Sequence, residues 1–230
     1  MCRSRQEKII VVSTSRHLIW IALGGFVGFV ASFIFGDLHT LPLDLYYLIY
    51  FVIIVGFFTV YIKRTRLNLK GCFSKRLIWG IILGLIFAVV MAQNVLSRPA
   101  TLRFTGPYLV WLIFWRGLVY GAIDGFLLSV YPWIVTWRAF HVGKKPLSRK
   151  IAFGLLAWVF ILLTTTAYHA GYADFRSKKM IQANIGNTIM SIPTLVSTNP
   201  IGTPIAHAAL HIVAVIHSPK TQLFLPPHRE

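Results

Sequence analysis

Five ionisable side chains lie inside long apolar stretches of this chain, where burying a charge is costly and such groups usually mark a functional site. They are Arg116, Asp124, His169, His207 and His211. His207 and His211 are four residues apart, so on a helix both imidazoles share one face and can bind one divalent metal ion such as zinc. The alternative is that each histidine only hydrogen-bonds to a neighbouring helix and serves packing.

A third histidine strengthens the metal interpretation. His169 ends a separate apolar stretch, and we predict that it meets the other two, which gives His169, His207 and His211 as metal ligands. A thermolysin-like zinc site has Glu after its first histidine, whereas this chain has Ala208, so that motif is absent. Asn184, Asn187 and Arg116 are candidates for contacts behind the ligands.

Arg116 and Asp124 are predicted two turns apart on one helix, with Tyr120 between them. Buried charges need partners, so one interpretation is a charge and hydroxyl network that fixes helix packing. Catalysis or ion passage is the other interpretation. A row of small residues at four-residue spacing indicates a close helix-packing face beside them: Gly117, Gly121 and Gly125.

The elements that must position these residues are membrane helices. A helix needs ~20 mostly apolar residues to cross the hydrocarbon layer of a bilayer. Five stretches meet that requirement: Leu18–Phe35, Leu41–Ile62, Leu77–Asn94, Tyr108–Trp137 and Ile151–Tyr172. The fourth is long enough that it must tilt or break, and Pro132 is the expected break because proline removes a helical hydrogen bond.

A sixth, more polar block runs from Met180 to Ile216. Polar groups cannot face lipid, so residues 181–200 must be covered by protein or line a wet cavity. Of the two arrangements, a spanning helix or a re-entrant one, we expect the re-entrant one, because it places His169, His207 and His211 near the same membrane surface. The fold class is thus an all-α integral membrane protein, a bundle of five to seven transmembrane helices with a polar re-entrant segment.

Composition and charge agree with a single membrane domain over residues 1–230. Apolar residues make up 56% of the chain, charged residues 13%, and the mean hydropathy is +0.68. Cys2 and Cys72 are too few for a disulfide framework. The net charge of +17 does not indicate nucleic-acid binding, because the basic residues form blocks in alternate loops.

This alternation predicts the topology. The segment before the first stretch and the second and fourth loops hold four, six and five Lys or Arg, whereas the first, third and fifth loops hold none, two and three. The positive-inside rule therefore places the N-terminus in the cytoplasm of a cell (inner or plasma) membrane. The partners implied by this topology are the lipid bilayer and the anionic headgroups near the basic loops.

Three short motifs in the C-terminal half carry a resemblance. Trp115-Arg116-Gly117, then Thr165-x3-His169, then His207-x3-His211, in this order, resemble the CAAX-protease and bacteriocin-processing (CPBP) superfamily, whose pattern is Glu-Glu-x3-Arg-Gly, Phe-x3-His and His-x3-Asn or His. The resemblance implies a membrane helical bundle that cleaves peptide bonds at an intramembrane Glu/His site. Where the superfamily has its Glu pair, this chain has Trp111 and Leu112. Residues 120–125, 168–172 and 224–228 are also similar to a group of uncharacterised bacterial multi-pass membrane proteins, which implies no activity.

These residues support three hypotheses about function. The first is a divergent intramembrane endopeptidase with a histidine cluster that holds a metal, in which the catalytic group comprises His169, His207, His211, Arg116 and Asp124 and the substrate is a peptide. The second is a non-enzymatic binding or small-solute transport protein that uses the same pocket. The third is a structural membrane partner whose histidines only join helices.

Overall fold

The computed structural model describes residues 12–221 and 223–227, which form an all-α bundle of eight helices. Cys2, Arg3, Arg5, Lys8 and His228 lie outside the described residues. The helices are, in chain order, α1 Thr14–Leu38, α2 Leu43–Thr65, α3 Leu69–Ser74, α4 Leu77–Leu96, α5 Gly106–Ala139, α6 Leu147–Ala170, α7 Lys179–Ser197 and α8 Gly202–His217.

Five of these helices, α1, α2, α4, α5 and α6, are long and apolar enough to cross a membrane. They contain or closely match the five stretches predicted from the sequence, and the ends differ by a few residues. Their outer faces carry large exposed apolar side chains, such as Phe26, Val52, Ile78 and Leu155. Exposed apolar faces of this kind suit a lipid solvent, and the multi-pass membrane prediction is confirmed by the form of the bundle.

Side-chain hydrogen bonds define one end of the bundle, which we call the basic end because it holds the two Lys- and Arg-rich loops. The Thr14 hydroxyl donates to the carbonyl of Ala139 at 2.9 Å. The amide of Asn199 donates to the carbonyls of Phe73 and Lys75 at 2.8 and 2.7 Å. The start of α1, the end of α5 and the turn between α7 and α8 therefore lie together.

The far end of the bundle is defined in the same way. The Asp37 carboxylate accepts a hydrogen bond from the backbone N–H of Ala173 at 2.8 Å. The backbone N–H of Thr101 donates to the carbonyl of His217 at 3.1 Å. The ends of α1, α6 and α8 thus meet the loop between α4 and α5 at the far end.

The re-entrant prediction for residues 181–200 is wrong. Helix α7 starts just after α6 at the far end and runs without interruption to the basic end, where Asn199 reaches the loop before α4. Its 19 residues span ~28 Å, close to the hydrocarbon thickness. Three of its polar side chains have partners on α6: Thr166 for Asn184, Thr165 for Asn187 and Trp158 for Thr188.

The sequence predicted a break of α5 at Pro132, but the helix is continuous there. It runs from Gly106 to Ala139 and contains two π-helical segments, Ile113–Val119 and Phe126–Val130. The second segment ends two residues before Pro132, and the backbone nitrogen of this proline carries no N–H donor. π-Helical turns insert an extra residue and rotate the side chains beyond it, and they occur often at functional sites. Asp124 lies on the short α-helical segment between them.

The small-residue row of α5 is a packing face, as predicted, and its partner is α8. A Cβ atom on Gly117, Gly121 or Gly125 would lie 2.8–2.9 Å from atoms of α8. On the opposite side of α8, a Cβ atom on Gly84 of α4 would lie 2.9 Å from the carbonyl of Gly202. Helix α8 is therefore held closely between α4 and α5, which fixes the position of its two central histidines.

Candidate metal centre

Asp124, His207 and His211 meet in the bundle interior. The Asp124 Oδ2 atom lies 3.7 Å from Nδ1 of His207 and 3.8 Å from Nε2 of His211. One ligand atom from each of the three residues lies within 4.8 Å of the other two. The three residues are 5%, 1% and 5% exposed, so this carboxylate and these imidazoles are removed from bulk solvent.

The glycines of α5 explain why these side chains can meet. A Cβ atom on Gly125 would lie 2.8 Å from Cβ of His207, and one on Gly121 would lie 3.0 Å from Cδ2 of His211. Only a residue without a side chain leaves room for imidazoles at these two levels. Asp124 lies between the two glycines in sequence and projects toward the same histidines.

The two oxygens of Asp124 have different partners. Oδ1 accepts a hydrogen bond from the Tyr50 hydroxyl of α2 at 3.1 Å. Oδ2 is directed at the two histidines. A hydrogen bond to one carboxylate oxygen fixes the orientation of the group and leaves the other oxygen as a ligand, as is typical of metal-binding carboxylates.

The tautomer of His207 is set by its contact with α7. Its Nε2 lies 2.9 Å from Oδ1 of Asn187, and Oδ1 also accepts from the Ser129 hydroxyl at 3.0 Å. The Asn187 amide nitrogen donates to the Thr165 hydroxyl, and in this orientation of the amide Oδ1 faces His207. Because Oδ1 can only accept, Nε2 of His207 carries the proton and donates. The lone pair of the neutral ring is then on Nδ1, the nitrogen that faces Asp124.

Nδ1 of His207 is buried and has no hydrogen-bond partner among the described residues. The 3.7 Å separation from Asp124 is too long for a hydrogen bond. Nδ1 of His211 is likewise buried without a partner in the described part of the chain, and its ring meets Tyr120 edge-on at 5.0 Å. Burying an unsatisfied nitrogen costs about 1–3 kcal/mol. The unsatisfied nitrogen that faces the Asp124 carboxylate, Nδ1 of His207, therefore needs an explanation beyond packing.

These donors fit a metal ion. A tetrahedral zinc ion with ligands at ~2.0–2.1 Å places neighbouring ligand atoms ~3.3 Å apart. The two separations from Asp124, 3.7 and 3.8 Å, reach that value with shifts of a few tenths of an ångström. The two histidine nitrogens lie within 4.8 Å of each other and would approach by up to about 1.5 Å. Two histidines and a carboxylate form the ligand set of catalytic zinc sites, which keep a fourth position for water or substrate. The group could therefore hold a divalent metal ion.

The fourth position has room, because the group lies at the foot of a cavity of about 360 Å³. The cavity extends from Asp124 to the far end of the bundle, and its walls come from α4, α5, α6, α7, α8 and the segment after α8. Its foot is buried and its rim is exposed, with Arg98, Gln182 and Ile185 accessible. The candidate metal centre of Asp124, His207 and His211 thus connects to the outside of the bundle.

His169 lines the same cavity but is not one of the three grouped ligands. Its Nδ1 lies 2.9 Å from the carbonyl of Thr165, one turn earlier on α6. Nδ1 must donate to that carbonyl, so Nε2 is the unprotonated nitrogen of the neutral ring. Because α7 spans the bundle, α8 starts at the basic end, whereas His169 lies near the far end. The two histidines nevertheless line one cavity, because the middle of α8 lies about halfway along the bundle. The prediction that His169 binds the metal itself stays a prediction.

Arg116 is not part of the candidate metal centre. Its guanidinium forms a two-pronged ion pair with Asp44 at the start of α2, with N–O distances of 2.7 and 2.9 Å. This pair joins α5 to α2, which agrees with the packing interpretation of Arg116. Asn184 bonds to Thr166 and not to a histidine, so of the two asparagines only Asn187 contacts a ligand.

Sequence reasoning missed a cluster of buried tyrosines beside the site. The hydroxyl of Tyr168 is 2.8–3.1 Å from those of Tyr46, Tyr120 and Tyr172, and Tyr172 donates to Tyr46 at 2.6 Å. Burial raises the pKa of Tyr172, just beyond α6, well above its ordinary value, so its hydroxyl stays protonated. The available signal was the four-residue spacing of Tyr46 with Tyr50 and of Tyr168 with Tyr172, which places each pair on one helix face.

No family model, curated protein or solved structure matches this chain. Inference about function therefore rests on the geometry of the site.

Proposed function

We propose that the protein is a membrane-embedded, metal-dependent hydrolase. The observation that carries the proposal is the placement of Asp124, His207 and His211 at the foot of a cavity, with the lone pair of His207 turned toward the carboxylate. A purely structural histidine pair gains nothing from an unsatisfied nitrogen and an adjoining open space. A metal site needs both.

In this proposal each residue has a distinct role. Asp124, His207 and His211 bind the ion, while Tyr50 and Asn187 hold the first two in the required orientation. A divalent ion in such a site acts as a Lewis acid and lowers the pKa of a bound water to ~7. His169 accepts a proton at Nε2 from the cavity side, since its Nδ1 is already occupied by a carbonyl.

The resemblance to CPBP proteins suggests that the bond cleaved is a peptide bond. The positions of the superfamily's Glu pair hold Trp111, which is 48% exposed on the outer face of α5, and Leu112. The carboxylate of this chain is Asp124, thirteen residues after Trp111 and beyond one π-helical segment. We infer that this chain supplies its carboxylate from a later turn of the same helix.

The topology proposal places the basic end in the cytoplasm of a cell membrane and the rim of the cavity toward the outer leaflet. The support is the charge asymmetry: the basic loops lie at one end of the bundle, and the positive-inside rule assigns that end to the cytoplasm. Anionic lipid headgroups are the expected contacts of that end.

Metal analysis tests the centre. Purified protein saturated with Zn²⁺ and then desalted is expected to retain about one ion per chain, as in three-ligand zinc sites. Asp124→Asn and His211→Ala are expected to lose it. His217→Ala is the matched control, because His217 bonds to the Arg98 carbonyl at the far end. Retention of the ion by both site variants would contradict the metal centre.

Hydrolysis is tested separately with a panel of membrane-inserted peptides incubated with zinc-loaded protein. Cleavage that disappears in His169→Gln, while metal content stays unchanged, is the expected result. A metal-loaded protein that cleaves none of the peptides would contradict the peptidase and favour a metal-binding or transport protein.

A further inference from the structure

The walls of the cavity above the metal-binding group are largely apolar. Val90 and Met91 of α4, Ile189 and Met190 of α7, and Leu210 of α8 line it. A hydrated ion or a small polar solute gains nothing from such walls, whereas an alkyl chain gains ~0.8 kcal/mol for each buried CH₂ group. The composition of the walls therefore favours an occupant with an apolar chain.

The end-on route into the cavity is narrowed by the segment after α8. Phe224 and Leu225 line the cavity and are only 5% and 2% exposed. Leu223 packs against both the tyrosine cluster and the apolar cluster around α4 and α8. Residues 223–226 thus lie across the far end of the bundle, between the tyrosine cluster and the apolar cluster around α4 and α8.

Part of the cavity lining is exposed between α4 and α7. At the basic end these helices are joined, because Asn199 bonds to the carbonyls before α4 and lies against Gly80. Farther along, the cavity lies between them, bordered by Val90 at 41% and Ile185 at 57% exposure. A Cβ atom on Gly186 would meet nothing within 4 Å. This gap faces the surface that the membrane covers.

The polar residues of the rim are gathered toward the far end of the same gap. Asn94 lies near the end of α4, Arg98 lies just beyond it, and Gln182 is on the first turns of α7. Arg98 is exposed, and a guanidinium pairs well with a carboxylate or phosphate. The gap therefore presents a cation at the level of the membrane surface and apolar walls below it.

We propose that the cavity binds a single-chain amphiphile with an anionic head, which enters from the membrane between α4 and α7. The head pairs with Arg98, and the chain lies along the apolar walls toward Asp124. This ligand is distinct from the peptide substrate of the proposed function, and its binding does not rest on that function. The binding itself requires no metal.

Native mass spectrometry of the metal-free protein with dodecyl phosphate tests the proposal. Wild-type protein is expected to show a saturable one-to-one adduct, while dodecanol and inorganic phosphate bind at least about tenfold more weakly, because each lacks one half of the amphiphile. Equal binding of dodecanol would overturn the role of Arg98. Equal binding of laurate would identify the anionic charge, and not the phosphate, as the feature recognised.

Two substitutions locate the route. Gly186→Phe fills the gap between α4 and α7 and is expected to weaken the adduct at least about tenfold, since the chain loses its place. Gly154→Phe is the control, because its Cβ also meets open space but lies on α6 away from the cavity. Unchanged dodecyl phosphate binding in Gly186→Phe would overturn side entry. Zinc content of the same variants, measured on separate samples after zinc loading, separates this failure from failure of the metal centre.

Discussion

His17 and His207 are both buried histidines in this bundle, and their surroundings differ in kind. His17, 2% exposed on α1, lies against the ring of Tyr61 near the basic end, with Nδ1 3.4 Å from the Tyr61 hydroxyl. His207 has its Nε2 bonded to Asn187 while its Nδ1 faces a carboxylate and a second histidine. Burial alone therefore does not distinguish a functional histidine. What distinguishes a functional histidine is the set of groups that its second ring nitrogen faces.

The largest expected difference is in metal binding. His207→Phe removes a ligand and is expected to abolish stoichiometric Zn²⁺ binding. His17→Phe replaces the imidazole with a slightly larger aromatic ring, loses one weak hydrogen bond, and should lower the free energy of unfolding by about 1 kcal/mol with unchanged metal content. Metal analysis and thermal unfolding of both variants in detergent make the comparison. Loss of metal in His17→Phe would erase the distinction.

Packing of α5 on α8 is expected to produce the next largest effect. In Gly121→Ala the added Cβ would lie 2.9 Å from the Ala208 Cα, so the helices must separate. We expect a loss of about 1–3 kcal/mol in the free energy of unfolding and weaker zinc binding. Gly154→Ala, in open space on α6, is expected to be neutral or to gain up to about 1 kcal/mol from helix propensity. Equal unfolding temperatures for the two variants would show that the contact is not tight.

The contact between Asn187 and His207 should have a smaller effect. Asn187→Ala removes the acceptor that sets the tautomer, and zinc affinity is expected to fall about 10–100-fold. Asn184→Ala removes a similar amide on the same helix, one that bonds only to Thr166, and should leave affinity unchanged. Competition with a fluorescent chelator measures both. Equal affinities in the two variants would remove the orienting role of Asn187.

The ion pair between Arg116 and Asp44 gives the smallest expected effect. Asp44 is 40% exposed, so solvent screens the pair, and Arg116→Gln is expected to cost about 1 kcal/mol or less of unfolding free energy. Zinc content should not change, because Arg116 belongs to the contact of α5 with α2. If the Arg116→Gln variant retained no zinc after loading, Arg116 would have to contribute to the metal centre.

Much of the fold could be predicted from the sequence. The five stretches were found because a bilayer requires apolar segments of a minimum length. The packing row of Gly117, Gly121 and Gly125 was found because its four-residue spacing places small residues on one helix face. The direction of α7 was not, since its polar residues are satisfied by particular side chains of α6. A list of polar residues does not reveal such partners.

The site was partly predictable for a related reason. His207 and His211 were found because their spacing lies within one helix. The position of Asp124 depended on the π-helical segments of α5, which change the register, and on the close approach of α8. Tyr50 and its neighbours come from a helix that sequence reasoning had treated only as a membrane span.

The most direct test is to locate the ion itself, by anomalous diffraction from zinc-loaded crystals. The account predicts one zinc ion within about 2.2 Å of Nδ1 of His207, Nε2 of His211 and an oxygen of Asp124, with a fourth position toward the cavity. An anomalous peak elsewhere in the bundle, or none at saturating zinc, would contradict it.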